Sequence, residues 1–188
     1  METNTVTLTN LRLHGQLTAK LAQNIKPELT KKGYDVLSDH GPSGVNIGKI
    51  VSVIKKEYHR EDELSQLDIA IVKQGSNQVV ALVEIEETTD KPKTFLGDIF
   101  GVLFGKYIFF KRKELLVGDY TTLIVVGVNK TNHKARNKII LEQVKRAQNS
   151  MGTQNARIGK VVLKTYADEE KLIAQLPSLL DRAFKGEL

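Results

Sequence analysis

Three carboxylates interrupt an otherwise apolar segment of the chain. Residues 67–90, LDIAIVKQGSNQVVALVEIEETTD, predict two strands joined by a turn at the Gly-Ser-Asn step. Asp68 enters the first strand, and Glu84 and Glu86 leave the second. Side chains alternate along a strand, so the two glutamates share a face, and antiparallel pairing brings Asp68 beside them. Converging carboxylates repel one another and are costly to desolvate, and a hard divalent cation such as Mg²⁺ would offset that cost.

This acidic hairpin resembles the active-site hairpin of the PD-(D/E)xK nuclease superfamily, the restriction-endonuclease-like fold. That superfamily places an acid at a strand start, then a turn, then acid-x-lysine on the next strand. Asp68 matches the first acid and Glu84 the second, whereas Glu86 stands where lysine is usual and Leu67 replaces the usual proline. Glu-x-Glu at this place resembles the variant found in BamHI-like restriction enzymes. The resemblance covers about residues 10–128.

The resemblance implies a metal-dependent endodeoxyribonuclease of the type II restriction kind, which hydrolyses DNA phosphodiester bonds. Asp68, Glu84 and the backbone carbonyl of Ile85 would hold Mg²⁺, or Mn²⁺ in its place. Glu86 would orient or deprotonate the attacking water, or bind a second metal. Relatives carry an acid on the first helix, which makes Glu28 an additional candidate, with a solvated surface glutamate as the alternative. Such enzymes usually act as homodimers, because two strands are cut.

Other functions stay open on these residues. A Holliday-junction or repair endonuclease is the alternative enzyme. A DNA-binding or partner-binding module without turnover is the alternative non-enzyme, and the missing lysine supports it. Lys91 or Lys93 could supply that positive charge, whereas Lys73 is predicted on the opposite face of its strand. A surface hairpin whose acids are solvated is the simplest interpretation.

The distribution of charge predicts a polyanionic partner. The 188 residues carry a net charge of +6, with a pI of about 9.4. Residues 129–164 contain nine Lys or Arg and one acid, Glu142, so this segment carries +8 and the remaining residues −2. A basic segment beside clustered acids is typical of a DNA-binding protein with a metal site, although a merely solvated basic surface is the alternative. The candidate DNA-binding residues are Lys134, Lys138, Lys145 and Arg146.

Several other chemistries have no supporting motif. The chain has no cysteine, which excludes disulfides and thiol nucleophiles and suits a reducing cytoplasm. The first ten residues do not form a secretory signal. The four histidines lack zinc-site spacing, and there is no glycine-rich nucleotide-binding motif. Residues 95–110 are apolar but too short to span a membrane. We therefore expect a cytoplasmic protein without a membrane segment or a nucleotide cofactor.

The periodicity predicts a single α/β domain over residues 1–188, a central mixed β-sheet flanked by helices, with a core at about 10–128 and a basic extension at about 129–188. Segment 47–58 fits a helix or a strand, and its spacing favours a helix. Glycines at every fourth position of the predicted helix 95–110 imply that a sheet, or alternatively a partner's helix, approaches it closely. The other predicted helices are 10–32, 133–149 and one after Asp168, and the other strands are 34–37, 121–128 and 161–166.

Overall fold

A computed structural model describes residues 15–42, 45–86, 92–128, 134–151 and 158–187. Within these ranges the chain forms a five-stranded mixed sheet, a four-stranded antiparallel sheet and four helices, which confirms the predicted α/β class. The helices are α1 (Gln16–Lys31), α2 (Pro92–Phe104), α3 (Lys134–Met151) and α4 (Glu169–Phe184). The strands are β1 (Tyr34–Ser38), β2 (Ile50–Val53), β3 (Glu63–Leu67), β4 (Ile69–Lys73), β5 (Val79–Glu86), β6 (Tyr107–Phe110), β7 (Lys113–Leu115), β8 (Thr122–Val128) and β9 (Lys160–Tyr166).

The five-stranded sheet has the order β1-β4-β5-β8-β9 and forms the centre of the molecule. The predicted hairpin is its β4–β5 pair, which is antiparallel, whereas β5, β8 and β9 run parallel. Helices α1 and α4 cover one face, and α2 and α3 cover the other, each over its own apolar core. Strand β8 is buried on both faces, which explains its almost continuous apolar sequence.

The four-stranded sheet has the order β3-β2-β6-β7, and two sequence predictions were wrong there. Segment 47–58 contains strand β2 and no helix, and the predicted helix 95–110 ends at Phe104 and is followed by β6. All four residues of β2 are buried between β3 and β6. A short strand buried on both faces has no alternation of polar and apolar residues, so its periodicity cannot be told from that of a buried helix.

Glycines in and just after α2 allow the second sheet to approach this helix closely, as the sequence predicted. A Cβ on Gly101 would lie 2.6 Å from the Cβ of Ser65, and one on Gly105, just past the helix, would lie 1.7 Å from the Oγ of Ser52. The Ser52 hydroxyl donates to the Gly101 carbonyl over 2.9 Å. Gly97 has no heavy atom within 4 Å, so the close approach covers only part of the glycine row.

Helix ends largely follow the local sequence signals. Gly33, just past α1, has φ +85°, as expected of a glycine that ends a helix. Pro27 lies inside α1 without ending it. Asp168 caps α4 by accepting a hydrogen bond of 2.8 Å from the Lys171 amide. In the described part of the chain, no helix has the length and apolar character needed to cross a membrane.

Candidate metal centre

Asp68 is the single residue between a strand of one sheet and a strand of the other. Strand β3 ends at Leu67 and β4 begins at Ile69. In the β4–β5 register Ile69 pairs with Val83, so one further step places Asp68 opposite Glu84. The Asp68 backbone N–H donates to the Glu84 carboxylate. The structure therefore brings together two of the three hairpin acids that the sequence pattern singled out.

Both carboxylate oxygens of Asp68 are held by hydrogen bonds. Oδ1 accepts from the Thr18 hydroxyl of α1 over 3.0 Å, and Oδ2 accepts from the backbone N–H of Ile85 over 2.7 Å. A strand residue directs its N–H and C=O to the same side, so the Ile85 carbonyl also faces the Asp68 side of β5. Each carboxylate oxygen has a second lone pair, which leaves Asp68 able to bind a cation as well.

Asp39 and His40 complete the cluster from the loop after β1, and the sequence analysis missed them. Ser38 pairs with Ile69, so the next residue, Asp39, reaches Asp68, and its N–H donates to the Asp68 carbonyl over 3.0 Å. His40 Nδ1 lies 2.6 Å from Asp39 Oδ1. Asp39, His40 and Asp68 each place a possible ligand atom within 4.8 Å of the others, and all three residues are only 8% exposed.

Asp98 of α2 adds a fourth carboxylate that the sequence analysis did not select. Its Oδ2 atom is buried without a hydrogen-bond partner. Burial, reinforced by the nearby Glu86, raises the pKa of Asp98 to about 6. An acid in the first turns of an otherwise apolar helix, directly after the acidic strand, was the available signal. The acidic region thus comprises the loop after β1, the junction of β3 with β4, strand β5 and helix α2.

Burial removes Asp68 and Glu84 of the cluster from water and raises their pKa values. Burial, followed by repulsion from Asp39, raises the pKa of Asp68 to about 7. Burial, followed by repulsion from Asp68, Asp98 and Asp39, raises the pKa of Glu84 well above its usual range. The Glu84 Oε2 atom is shielded from solvent and has no hydrogen-bond partner. A divalent cation would satisfy this oxygen and favour the ionised form of the whole group.

The two remaining acidic candidates lie in different places. Glu86 shares the face of Glu84 on β5 and is half-buried, and the acid it influences is Asp98. Glu28 is exposed and forms a salt bridge of 2.7 Å with Lys32. It lies ten residues after Thr18 on α1, about 15 Å along the helix axis from the Asp68 contact. The structure therefore does not bring Glu28 to the cluster.

The candidate DNA-binding cations lie on and around α3. The side chains of Lys138 and Lys145 are exposed and, with Lys164 and Lys171, line a cavity of about 880 Å³. This cavity lies between α3, β9 and α4, and we call it the basic groove; Glu142 is the one acid in its lining. Burial, then repulsion from Arg182, lowers the pKa of Lys164.

The structure locates the side chains of two other predicted cations, Arg146 and Lys73. Arg146 is an exposed residue of α3. Lys73 is exposed at the end of β4 remote from Asp68. The side chains of Lys134 and Lys93, and all of Lys91, lie outside the described residues.

Comparison of the chain with protein-family models, with curated proteins and with solved structures found no match. The acidic cluster offers the carboxylates of Asp39, Asp68, Glu84 and Asp98, the His40 imidazole and one backbone carbonyl. These donors suit a hard or borderline divalent cation.

Proposed function

We propose that this protein is a divalent-metal-dependent endonuclease that hydrolyses DNA phosphodiester bonds. The observation that carries the proposal is the buried, unpartnered Oε2 oxygen of Glu84, whose carboxyl group is repelled by three further acids, Asp68, Asp98 and Asp39. A structural ion pair would have placed a lysine or arginine there. Among the described residues, none of the groups that perturb the pKa values of Asp68 and Glu84 is a lysine or arginine.

Asp68, Glu84 and the Ile85 carbonyl would hold the cation, with Asp39 as a further ligand. Oxygen donors of this kind suit Mg²⁺. The proximity of His40 adds a nitrogen donor, which Mn²⁺ accepts more readily than Mg²⁺ does. A bound divalent cation lowers the pKa of a coordinated water and neutralises the charge that develops on the scissile phosphate.

Glu86 and Asp98 are the groups that would handle the proton of the attacking water. Asp98 has a pKa raised to about 6, which is closer to neutral pH than that of an ordinary aspartate. Burial, and then the negative charge of Glu86, keeps the pKa of Asp98 raised, so the two acids act as a pair. The pair lies beside Glu84 on the same face of the sheet, where a substrate phosphate held by the cation would be reached.

A second candidate function is a DNA-binding or partner-binding module that does not cleave. The absence of a lysine or arginine among the groups that perturb the pKa values of Asp68 and Glu84 favours it, because nucleases of the resembled superfamily usually carry a lysine at the position of Glu86. Within the enzyme class we propose a restriction-type homodimer, with a junction-resolving or repair enzyme as the alternative. The basic groove would contribute to DNA affinity in all three cases.

The deciding experiment is incubation of the purified protein with duplex, single-stranded and branched DNA in Mg²⁺ or Mn²⁺. We expect cleavage that needs the metal, is stopped by a chelator and is absent from a Glu84→Gln variant purified in parallel. Glu57→Gln, at an exposed site, is the matched control and should cleave normally. Metal-independent cleavage would show that the activity is a contaminant, and equal cleavage by the Glu84→Gln variant would remove Glu84 from the metal site. DNA binding without any cleavage would favour the non-enzymatic module.

A further inference from the structure

The turn between β6 and β7 holds two cations in an unfavourable backbone conformation. Phe110 pairs with Lys113, so the loop consists of Lys111 and Arg112 alone. Their φ angles are 49° and 66°, and they are the described non-glycine residues with positive φ. Two-residue turns of this kind favour Asn-Gly, because asparagine and glycine tolerate the left-handed region that other side chains avoid. Lysine and arginine are therefore not there to make the turn.

The same turn lies next to the acidic cluster. The Ile47 N–H donates to the Asp39 carbonyl over 2.7 Å, and Gly48 follows directly. The stem of Lys111 packs onto Gly48: a Cβ at that glycine would lie 2.7 Å from the Lys111 Cε and 3.0 Å from its Cγ. The path from Asp39 to the Lys111 stem is thus a hydrogen bond, one residue step and a van der Waals contact, on the order of 10 Å.

The charges of this turn are available to a ligand. Lys111 and Arg112 are exposed, and neither forms an ion pair within the described ranges. The Lys111 ammonium lies 5.3 Å from the centre of the Phe110 ring, which orients the side chain without neutralising it. Arg112 presents a planar fork of donors that matches a phosphate. Strained residues that persist against local preference cluster at binding sites.

We propose that Lys111 and Arg112 bind the phosphates of a nucleic acid strand that flank the bond held at the acidic cluster. This inference rests on the proposed nuclease function and extends it, because it assigns a substrate-binding role to the second sheet. Successive phosphates of one strand rise about 3.4 Å per nucleotide along a duplex, so a turn on the order of 10 Å from Asp39 would contact phosphates a few nucleotides away. The two cations would also supply positive charge that the acidic hairpin lacks.

The test separates charge from backbone strain with two double variants. Lys111→Asn with Arg112→Gly removes both charges and installs the preferred turn sequence. Lys111→Gln with Arg112→Gln removes the charges and keeps ordinary side chains. The control, Lys26→Gln with Lys56→Gln, removes two exposed cations elsewhere. Binding to a fluorescent duplex is measured by anisotropy in Ca²⁺ over a range of salt, so that no cleavage is required, and the melting temperature is measured alongside.

We expect both turn variants to bind DNA at least about tenfold more weakly, with a salt slope shallower by about 1.8, since each phosphate contact contributes about 0.9. The Asn-Gly variant should also melt at a higher temperature than the wild type, and the control should match the wild type. Wild-type binding with unchanged binding by both turn variants would overturn this assignment and leave the nuclease proposal standing. Failure of the wild-type protein to bind any DNA would overturn both. Weaker binding together with a lower melting temperature of the Asn-Gly variant would overturn the assignment, because the turn would then be structural.

Discussion

The acidic cluster and the basic groove are both charged, but the acids of the cluster are far more buried than the groove cations Lys138 and Lys145. The carboxylates of Asp39, Asp68 and Glu84 are shielded, repel one another and have pKa values raised for Asp68 and Glu84. The groove cations Lys138 and Lys145 are exposed and separated. A bound cation would stabilise buried carboxylates that repel one another, whereas solvated cations act through weak, additive attraction. Substitutions in the two regions should therefore differ in size and in additivity.

The largest effect is expected from Glu84→Ala and Asp68→Ala, which should both lower cleavage but should differ in their cost to stability. Each should reduce cleavage at least about 100-fold, because each removes a proposed ligand of the metal that would carry the chemistry. Asp68→Ala should also destabilise the fold by about 1–3 kcal/mol, since it leaves the Ile85 amide and the Thr18 hydroxyl without a partner. Glu84→Ala leaves only the Asp68 amide without a partner and removes an acid that repels its neighbours, so it should cost less stability.

Steady-state cleavage and chemical unfolding would measure these two effects separately. Near-normal cleavage by either variant in Mg²⁺ would place the metal site elsewhere. Equal destabilisation by both would contradict the distinct roles of the two acids.

Glu86→Lys, which restores the commoner superfamily residue, should lower cleavage by about tenfold or more. The added ammonium would pair with Asp98, lower its pKa and oppose the charge of the metal. Glu57→Lys makes the same change in charge at an exposed site and should leave the rate within about twofold. Unchanged or higher activity of Glu86→Lys would remove Glu86 from the mechanism. Glu87, predicted to point to the other face, lies outside the described residues, and Glu87→Ala should matter little.

Stability should depend on pH in the direction set by the raised pKa values. Asp68, at about 7, and Asp98, at about 6, keep their protons in the folded state at pH values where the unfolded chain has lost them. The stability that their protonated forms contribute to the folded state is therefore complete below about pH 4 and is lost as the pH rises to about 7. Above about pH 7, Mg²⁺ should restore stability, by about 2.7 kcal/mol at a hundredfold excess over its dissociation constant.

Thermal unfolding across this pH range, with and without Mg²⁺, tests whether stability depends on pH and on the metal in this way. Glu84→Gln removes one titrating member of the cluster and should flatten both the pH response and the Mg²⁺ response. A stability that rises smoothly to pH 8 without metal, with no effect of Mg²⁺, would argue against a desolvated metal site.

The smallest effects are expected in the basic groove. Lys138→Gln and Lys145→Gln should each weaken binding to every DNA sequence and reduce the salt slope by about 0.9. Their combination should be nearly additive, because exposed, separated cations are weakly coupled. Lys134→Gln and Arg146→Gln extend the series along α3. A bidentate arginine that reads a base would instead relax sequence preference, at a cost of about 1–3 kcal/mol. If affinity and salt slope stay unchanged throughout, the groove is merely solvated.

The sequence predicted the parts of the fold that have strong local signals. The hairpin was found from its alternation and turn, and β8 from its apolar run, so Asp68 and Glu84 could be placed opposite each other. Strands β2 and β6 were missed because residues buried on both faces carry no alternation. Asp39 and His40 were missed for a different reason. They join the cluster only through the pairing of β1 with β4, a contact between distant segments that periodicity does not encode.

Because Asp68 lies between the two sheets, the proposed binding of a metal and the proposed binding of DNA would be coupled. The residue that would bind the cation also fixes where the second sheet, with its Lys111-Arg112 turn, begins to diverge from the first. If the proposed cation tightened this junction and oriented the turn toward a DNA strand, it would raise the affinity for DNA. By thermodynamic reciprocity, DNA held by the turn must then raise the affinity for the cation by the same factor. The change in metal affinity on DNA binding and the change in DNA affinity on metal binding would then measure the same coupling free energy.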